Sequence, residues 1–196
     1  MSRRDIAPMS RRDIAPMSRR DIAGRALVLR PRNCIHQSRS LMPQIRTAYF
    51  GELDYSDGTV FHFPGGLPGF ERERAFLFLK RPHTEPLLFL QSLGTPHLCF
   101  ILLPILVVDA NYKVNLDSDD LAALQLTPSR QPRIGEDILC AAIVRTGGGE
   151  EPTANLMAPV VVNLKAQIGM QVVHAGSPYS HRHPIPASKE AAPCSS

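Results

Sequence analysis

A chain of 196 residues with 43% apolar side chains is long enough for one domain with a buried core, and its 18 Pro and 13 Gly point to many turns and short elements. Its longest apolar run, Leu98 to Val108, is interrupted by Pro104 and falls far short of the roughly 20 residues a membrane helix needs, which predicts a soluble protein. The net charge of +4 is split: residues 1–46 carry 11 Arg against 3 Asp, whereas residues 47–186 carry 10 Lys and Arg against 14 Asp and Glu. Phosphate neutralisation supplies much of the affinity for RNA or DNA, so direct nucleic-acid binding by this acidic body is not expected.

Residues 1–24 read MSRRDIAP, MSRRDIAP, MSRRDIAG. The unit is too short and polar for a solenoid. Its Arg pairs lack the apolar stretch of a twin-arginine export signal. Residues 1–43 are expected to be a disordered Arg-rich arm, residues 44–186 the folded domain and residues 187–196 a disordered tail. Each copy begins with Met, and Met42 lies just before the first strand. A tandem duplication or a misplaced start codon accounts for this more simply than a function. The sharper alternative is a nucleic-acid-binding β-barrel that uses the basic arm.

From Thr47 the pattern becomes β. Tyr49 to Tyr55 alternate with period two. Ser56-Asp57-Gly58 signals a turn, and Thr59–Phe63 is a short strand. The following segment, Phe63-Pro64-Gly65-Gly66-Leu67-Pro68-Gly69-Phe70, excludes both helix and central strand. It reads as a loop of fixed shape whose apolar anchors plug a core or dock a partner. Phe63 is assigned to the core; Leu67 and Phe70 are the candidate exposed anchors.

Strands are expected at Ala75–Leu79, Leu87–Leu90, His97–Leu103, Ile105–Val108 and Tyr112–Leu116. One helix starts at Asp117 or Ser118, with Asp119 and Asp120 at the positive end of its dipole. Glu136–Thr146, Ala158–Leu164 and Gly169–Ala175 complete the set, the last two forming a hairpin around Lys165-Ala166-Gln167. The predicted class is all-β and mainly antiparallel: a small barrel-like domain or bent sandwich with one short helix.

Little in the chain asks for catalysis. Gly147-Gly148-Gly149 lacks the Lys-Ser/Thr of a phosphate loop and reads as a hairpin tip. His181 and His183 supply two imidazoles, too few for a metal set, and Asp117, Asp119 and Asp120 lack the Gly and Glu of a calcium loop. Neither a nucleophile elbow nor a His beside a core Cys is present. No enzyme activity, cofactor or metal is expected. Cys99 and Cys140 sit in apolar runs and read as buried reduced thiols, which favours a cytoplasmic location.

Several segments, in this order, resemble the flagellar assembly factor FliW family. They are Tyr49-Phe50-Gly51-Glu52, Phe63–Phe70 with Glu71, Leu90-Gln91-Ser92 and Asp119-Asp120-Leu121. They continue with Thr153–Asn163, then Gly169-Met170-Gln171-Val172-Val173 and Tyr179–Ile185. The resemblance covers about Thr47 to Ile185 and implies a cytoplasmic, non-enzymatic protein that binds flagellin. It further implies binding of the RNA-binding repressor CsrA when flagellin is scarce, so that flagellin synthesis tracks export. Candidate partner-binding residues are Leu67, Phe70, Asn155, Asn163, Tyr179, Arg182 and Pro184. The last three are read as a docking corner, with Arg182 pairing a partner carboxylate or the domain's own acid. Hydrogen bonding to local backbone is the alternative role for both Asn residues.

Overall fold

The computed structural model describes residues 42–147, 150–173 and 177–185, together with the backbone of Leu27–Val28. Most of the expected arm and the expected tail lie outside these residues. Eleven strands and two short helices appear among them in chain order. The first group is β1 (Leu27–Val28), β2 (Gln44–Thr47), β3 (Gly51–Asp54), β4 (Val60–His62), β5 (Ala75–Lys80), β6 (Leu88–Ser92) and β7 (Cys99–Pro104). After them come α1 (Ile105–Val108), α2 (Ser118–Ala123), β8 (Ile138–Gly147), β9 (Glu150–Asn163), β10 (Ile168–Gln171) and β11 (His183–Pro184).

Seven strands close on themselves as β5-β6-β7-β8-β9-β10-β4, with β4 returning to β5. Every pairing in the ring is antiparallel except β4 with β10, where Ile168 stands beside His62. That parallel seam is short, and one side chain reinforces it. Gln167 donates from Nε2 to the carbonyls of Gly58 (3.0 Å) and Val60 (3.1 Å), and its own carbonyl accepts from the His62 amide at 2.8 Å. These bonds offset the positive φ (56°) that Gln167 adopts in the β9–β10 turn.

The expected barrel is present, and its apolar runs are continuous because both faces of the wall are covered. On β5, Phe76 and Phe78 point into the barrel, while Leu77 and Leu79 point outward beneath the β2–β3 hairpin with Leu53 and Phe89. On β9, Val160 and Val162 face inward, while Val161 faces outward onto a layer made by Ile105, Tyr112, Leu121 and Leu124. The interior is aromatic-rich: Phe61 meets Phe78 edge-on at 4.8 Å and Phe63 meets Phe76 at 5.0 Å. Cys99 and Cys140 are both buried free thiols.

Two expected strands are corrected. Ile105–Val108 forms one helical turn, with the Asp109 amide donating to the Ile105 carbonyl at 2.9 Å. Pro104 has no amide with which to prolong the ladder, and a single turn buries Ile105 while turning Leu106 and Val107 outward. Among the described residues Tyr112–Leu116 pairs with no strand. The side-chain amide of Gln131 takes the place of one: its Oε1 accepts from the Leu116 amide (2.9 Å) and its Nε2 donates to the Leu116 carbonyl (2.8 Å). The expected helix start is present, with Asp117 Oδ1 accepting from the Asp120 amide at 2.8 Å in a reciprocal capping box.

The strand expected at Ala158–Leu164 begins eight residues earlier, at Glu150, and runs 14 residues through Pro152 and Pro159. Leu27–Val28, expected within the disordered arm, pairs antiparallel with Leu79 and Lys80 of β5.

Candidate functional site

The loop Phe63–Phe70 is a barrel plug. The Gly66 amide donates to the Phe63 carbonyl (2.8 Å), the Phe70 amide to the Leu67 carbonyl (2.7 Å) and the Glu73 amide to the Phe70 carbonyl (3.0 Å). Arg74 donates to the Pro64 carbonyl. Gly66 and Gly69 adopt φ of 68° and 82°, the left-handed turns that fold the segment back on itself. As a result Leu67 is 1% exposed and Phe70 8%, with the Phe70 ring edge-on to Phe100 at 5.1 Å. The expectation that Leu67 and Phe70 are exposed anchors is therefore corrected. Burial among aromatic rings recovers more free energy than leaving two large apolar groups in water.

Asn163 is buried at the far end of β9 from β11. Its Nδ2 donates to the carbonyls of Leu124 (2.8 Å) and Gln125 (3.3 Å), and its Oδ1 accepts from the amides of Lys165 (3.0 Å) and Ala166 (3.1 Å). It ties the end of α2 to the β9–β10 turn, so its side chain is occupied within the domain.

The other four candidates come together at one corner. The β8–β9 register shifts between Ala141, opposite Val160, and Ile143, opposite Asn155, so β9 bulges over residues 156–159. Asn155 shapes the bulge by accepting from the Ala158 amide at 3.0 Å. The bulge is then held from outside. The amides of Leu156 and Met157 donate to the Ser180 carbonyl (3.0 and 3.3 Å), and Tyr112 Oη donates to the Leu156 carbonyl (2.9 Å). Tyr179 stacks on Tyr112 with centroids 4.3 Å apart, and its hydroxyl accepts from the Lys113 amide at 3.1 Å. Burial holds the Tyr112 hydroxyl well above its ordinary pKa, so it remains a donor at alkaline pH where a solvent-exposed tyrosine ionises. Pro184 in β11 lies opposite Thr153, and both Pro184 and Arg182 are exposed.

Sequence reasoning missed the apolar part of this surface. The turn α1, packed on β8 and β9, presents Leu106 at 41% and Val107 at 49% exposure, and Val173 beyond β10 is 40% exposed. The missed signal was Pro104 at the head of an apolar tetrad, which marks a helix start as readily as a strand break. Tyr112 and Gln131, which fix the loops beside it, carried no motif of their own. Nearby, Arg130 and Arg133 clamp Asp137, with Arg130 Nη1 at 2.9 Å from Oδ2. Their bonds hold that carboxyl below the ordinary carboxylate range. Among the described residues no group of three or more His, Cys, Asp or Glu is placed to hold a metal ion. None of their helices is long and apolar enough to cross a membrane.

The family model described as FliW protein matches residues 44–185, which is 142 of the 196 residues and spans the whole barrel and this corner. The chain belongs to the FliW family. The flagellar assembly factor FliW of Geobacillus sp. (strain WCH70) is 32% identical over 142 residues, covering 71% of this chain and 93% of that protein. The flagellar assembly factor FliW of Bacillus subtilis (strain 168) is 30% identical over 141 residues, covering 72% and 95%. A crystal structure of the flagellar assembly factor FliW superposes with a TM-score of 0.65 at 30% identity, covering 76% of this chain and all of that one. The FliW barrel therefore accounts for residues 44–185, and β1 lies outside it.

Proposed function

We propose that this chain is a cytoplasmic, non-enzymatic flagellar assembly factor that binds flagellin and a CsrA-type RNA-binding repressor. It thereby ties flagellin synthesis to flagellum assembly. The observation that carries the reading is the family match across residues 44–185. The surface fits protein binding: Leu106 and Val107 form an apolar knob on a rigid turn, and the Tyr112–Tyr179 corner beside β9 supplies aromatic and Arg contacts of the kind that dominate interfaces. The barrel interior is filled by packed aromatic side chains, which favours an outer-surface partner over an enclosed small molecule. Residues 44–185 carry 11 Lys and Arg against 14 Asp and Glu, so the domain acts on RNA only through the repressor.

Purified chain is mixed with flagellin and, separately, with a CsrA-type repressor bound to a flagellin leader RNA. Complex formation with each protein, release of the RNA by the chain, and reversal of that release by added flagellin are the expected results. Failure to bind either protein overturns the reading. Binding of the RNA by the chain alone, lost in high salt, points instead to the basic arm.

A further inference from the structure

One side of β5 is covered along its length by β6, with Phe76 to Leu79 opposite Ser92 to Phe89. The other side is divided. The strand β4 covers Ala75 to Leu77, and it cannot reach further because Val60 follows directly on the turn Asp57–Thr59. Beyond that point, Leu79 and Lys80 pair with Val28 and Leu27 of β1. Among the described residues no strand within 44–185 takes this place, and 44–185 is the portion matched by the family. The last length of β5 is thus an edge that no described strand of residues 44–185 covers and that Leu27–Val28, outside the matched portion, fills.

We propose that the β5 edge at Leu79–Lys80 is a strand-acceptor site for short extended apolar segments, occupied in cis by Leu27–Val28. An open edge offers its backbone amides and carbonyls as a template, and an added strand satisfies them whatever its side chains. A two-residue ladder is weak between separate molecules, since each of its hydrogen bonds replaces one to water and gains little net. Here the strand is tethered by the 15 residues 29–43, and tethering supplies an effective concentration on the order of mM. The sequence around Leu27–Val28, Arg-Ala-Leu-Val-Leu-Arg over residues 25–30, defines the ligand class: a short β-favouring apolar core with cationic flanks, suited to an acidic domain. The arm thereby works as a built-in competitor that keeps other extended segments off this edge. The proposal goes beyond the flagellar reading and does not depend on it.

The test uses the full chain carrying Leu27→Pro and Val28→Pro, which removes two amides from β1 and leaves the barrel sequence intact. Hydrogen–deuterium exchange in a peptide spanning Leu79 and Lys80 is expected to speed up about tenfold, the factor for roughly 1.4 kcal/mol. Exchange in Val60–Phe63 stays at the wild-type rate. Hexapeptide Arg-Ala-Leu-Val-Leu-Arg, titrated to about 10 mM so that it exceeds the effective concentration of the tether, then restores protection saturably in the variant and has no effect on the wild-type chain. The same hexapeptide with Pro at its two central positions gives no protection. Unchanged exchange at Leu79–Lys80 in the variant overturns the proposal. So does failure of the hexapeptide to protect, or equal protection by the Pro-containing control.

Discussion

Gly169 of β10 lies directly against the Phe63 ring: a Cβ at Gly169 would stand 2.5 Å from Cζ and 2.8 Å from Cε1. The glycine is there because the ring is. Phe63 is fully buried where the plug loop leaves β4, and only a residue without a side chain lets β10 approach it closely enough to pair with β4. Gly169→Ala is therefore expected to destabilise the domain by about 1–3 kcal/mol through overpacking, read as a lowered urea midpoint at unchanged slope. Phe63→Leu in the same chain should recover part of that loss. Strict additivity of the two changes would refute a shared contact.

Asn163 is expected to behave as a structural staple. Asn163→Leu leaves the carbonyls of Leu124 and Gln125 and the amides of Lys165 and Ala166 without their partner, at about 1–3 kcal/mol for each group that stays buried. Loss should appear as faster amide exchange in both α2 and the turn at residues 164–167. Loss of partner binding with unchanged stability and exchange would show that Asn163 reaches outward after all.

Much of this architecture was legible in the sequence, for identifiable reasons. The uninterrupted apolar runs of β5 and β8 and the Asp-rich start of α2 are local signals, and local signals survive folding. The errors are non-local. Nothing in Phe63–Phe70 shows that the loop folds back over the barrel interior, so Leu67 and Phe70 looked free to touch a partner when they line the core. The tetrad Ile105–Val108 fits strand and helix equally until Pro104 is seen to end the ladder opposite Ala141. The bulge at 156–159 depends on Tyr112 and Ser180, distant in sequence from the strand they shape.

Burial pushes the Cys99 and Cys140 thiols up to about 12; for Cys99 the Arg81 charge opposes that rise without cancelling it. Both stay neutral in the folded state at pH values where an unfolded Cys, near 8.5, is ionising. A group whose folded pKa is raised contributes stability that is whole below the unfolded value and is lost as pH climbs toward the folded one. Stability should therefore decline between about pH 8.5 and 12, and Cys99→Ser with Cys140→Ser should flatten that decline. In a chain carrying Cys34→Ser and Cys194→Ser, a thiol reagent at pH 8 should label neither remaining cysteine until denaturant is added; rapid labelling of that native chain would contradict their burial.

The Tyr112–Tyr179 stack predicts coupling between the α1–α2 connection and the C-terminal corner. Tyr112→Phe keeps the ring and removes the hydroxyl bond to Leu156, costing about 1 kcal/mol. Tyr179→Ala removes the stack, with about 0.5–1.5 kcal/mol of it specific to the aromatic pair. A double-mutant cycle with Tyr112→Ala should return an interaction energy of that size. A value near zero would mean that the two loops are held independently.

Leu106 and Val107 give the most direct test of where partners bind. Both are substantially exposed on α1, so charging them removes no core contact, whereas the neighbouring Ile105 is fully buried. Leu106→Asp with Val107→Asp should leave the urea midpoint within about 0.5 kcal/mol of wild type, as for ordinary surface changes. An aliphatic anchor fully buried at an interface is worth about 1.5–3 kcal/mol, so affinity for flagellin or for the repressor should fall by at least about tenfold. The two partners need not respond alike. Loss for one alone assigns α1 to that partner and sends the other to the Arg182–Pro184 corner, where Arg182→Glu should then weaken it. Unchanged affinity for both would clear α1 of any role and leave its exposed pair as an ordinary feature of a barrel surface.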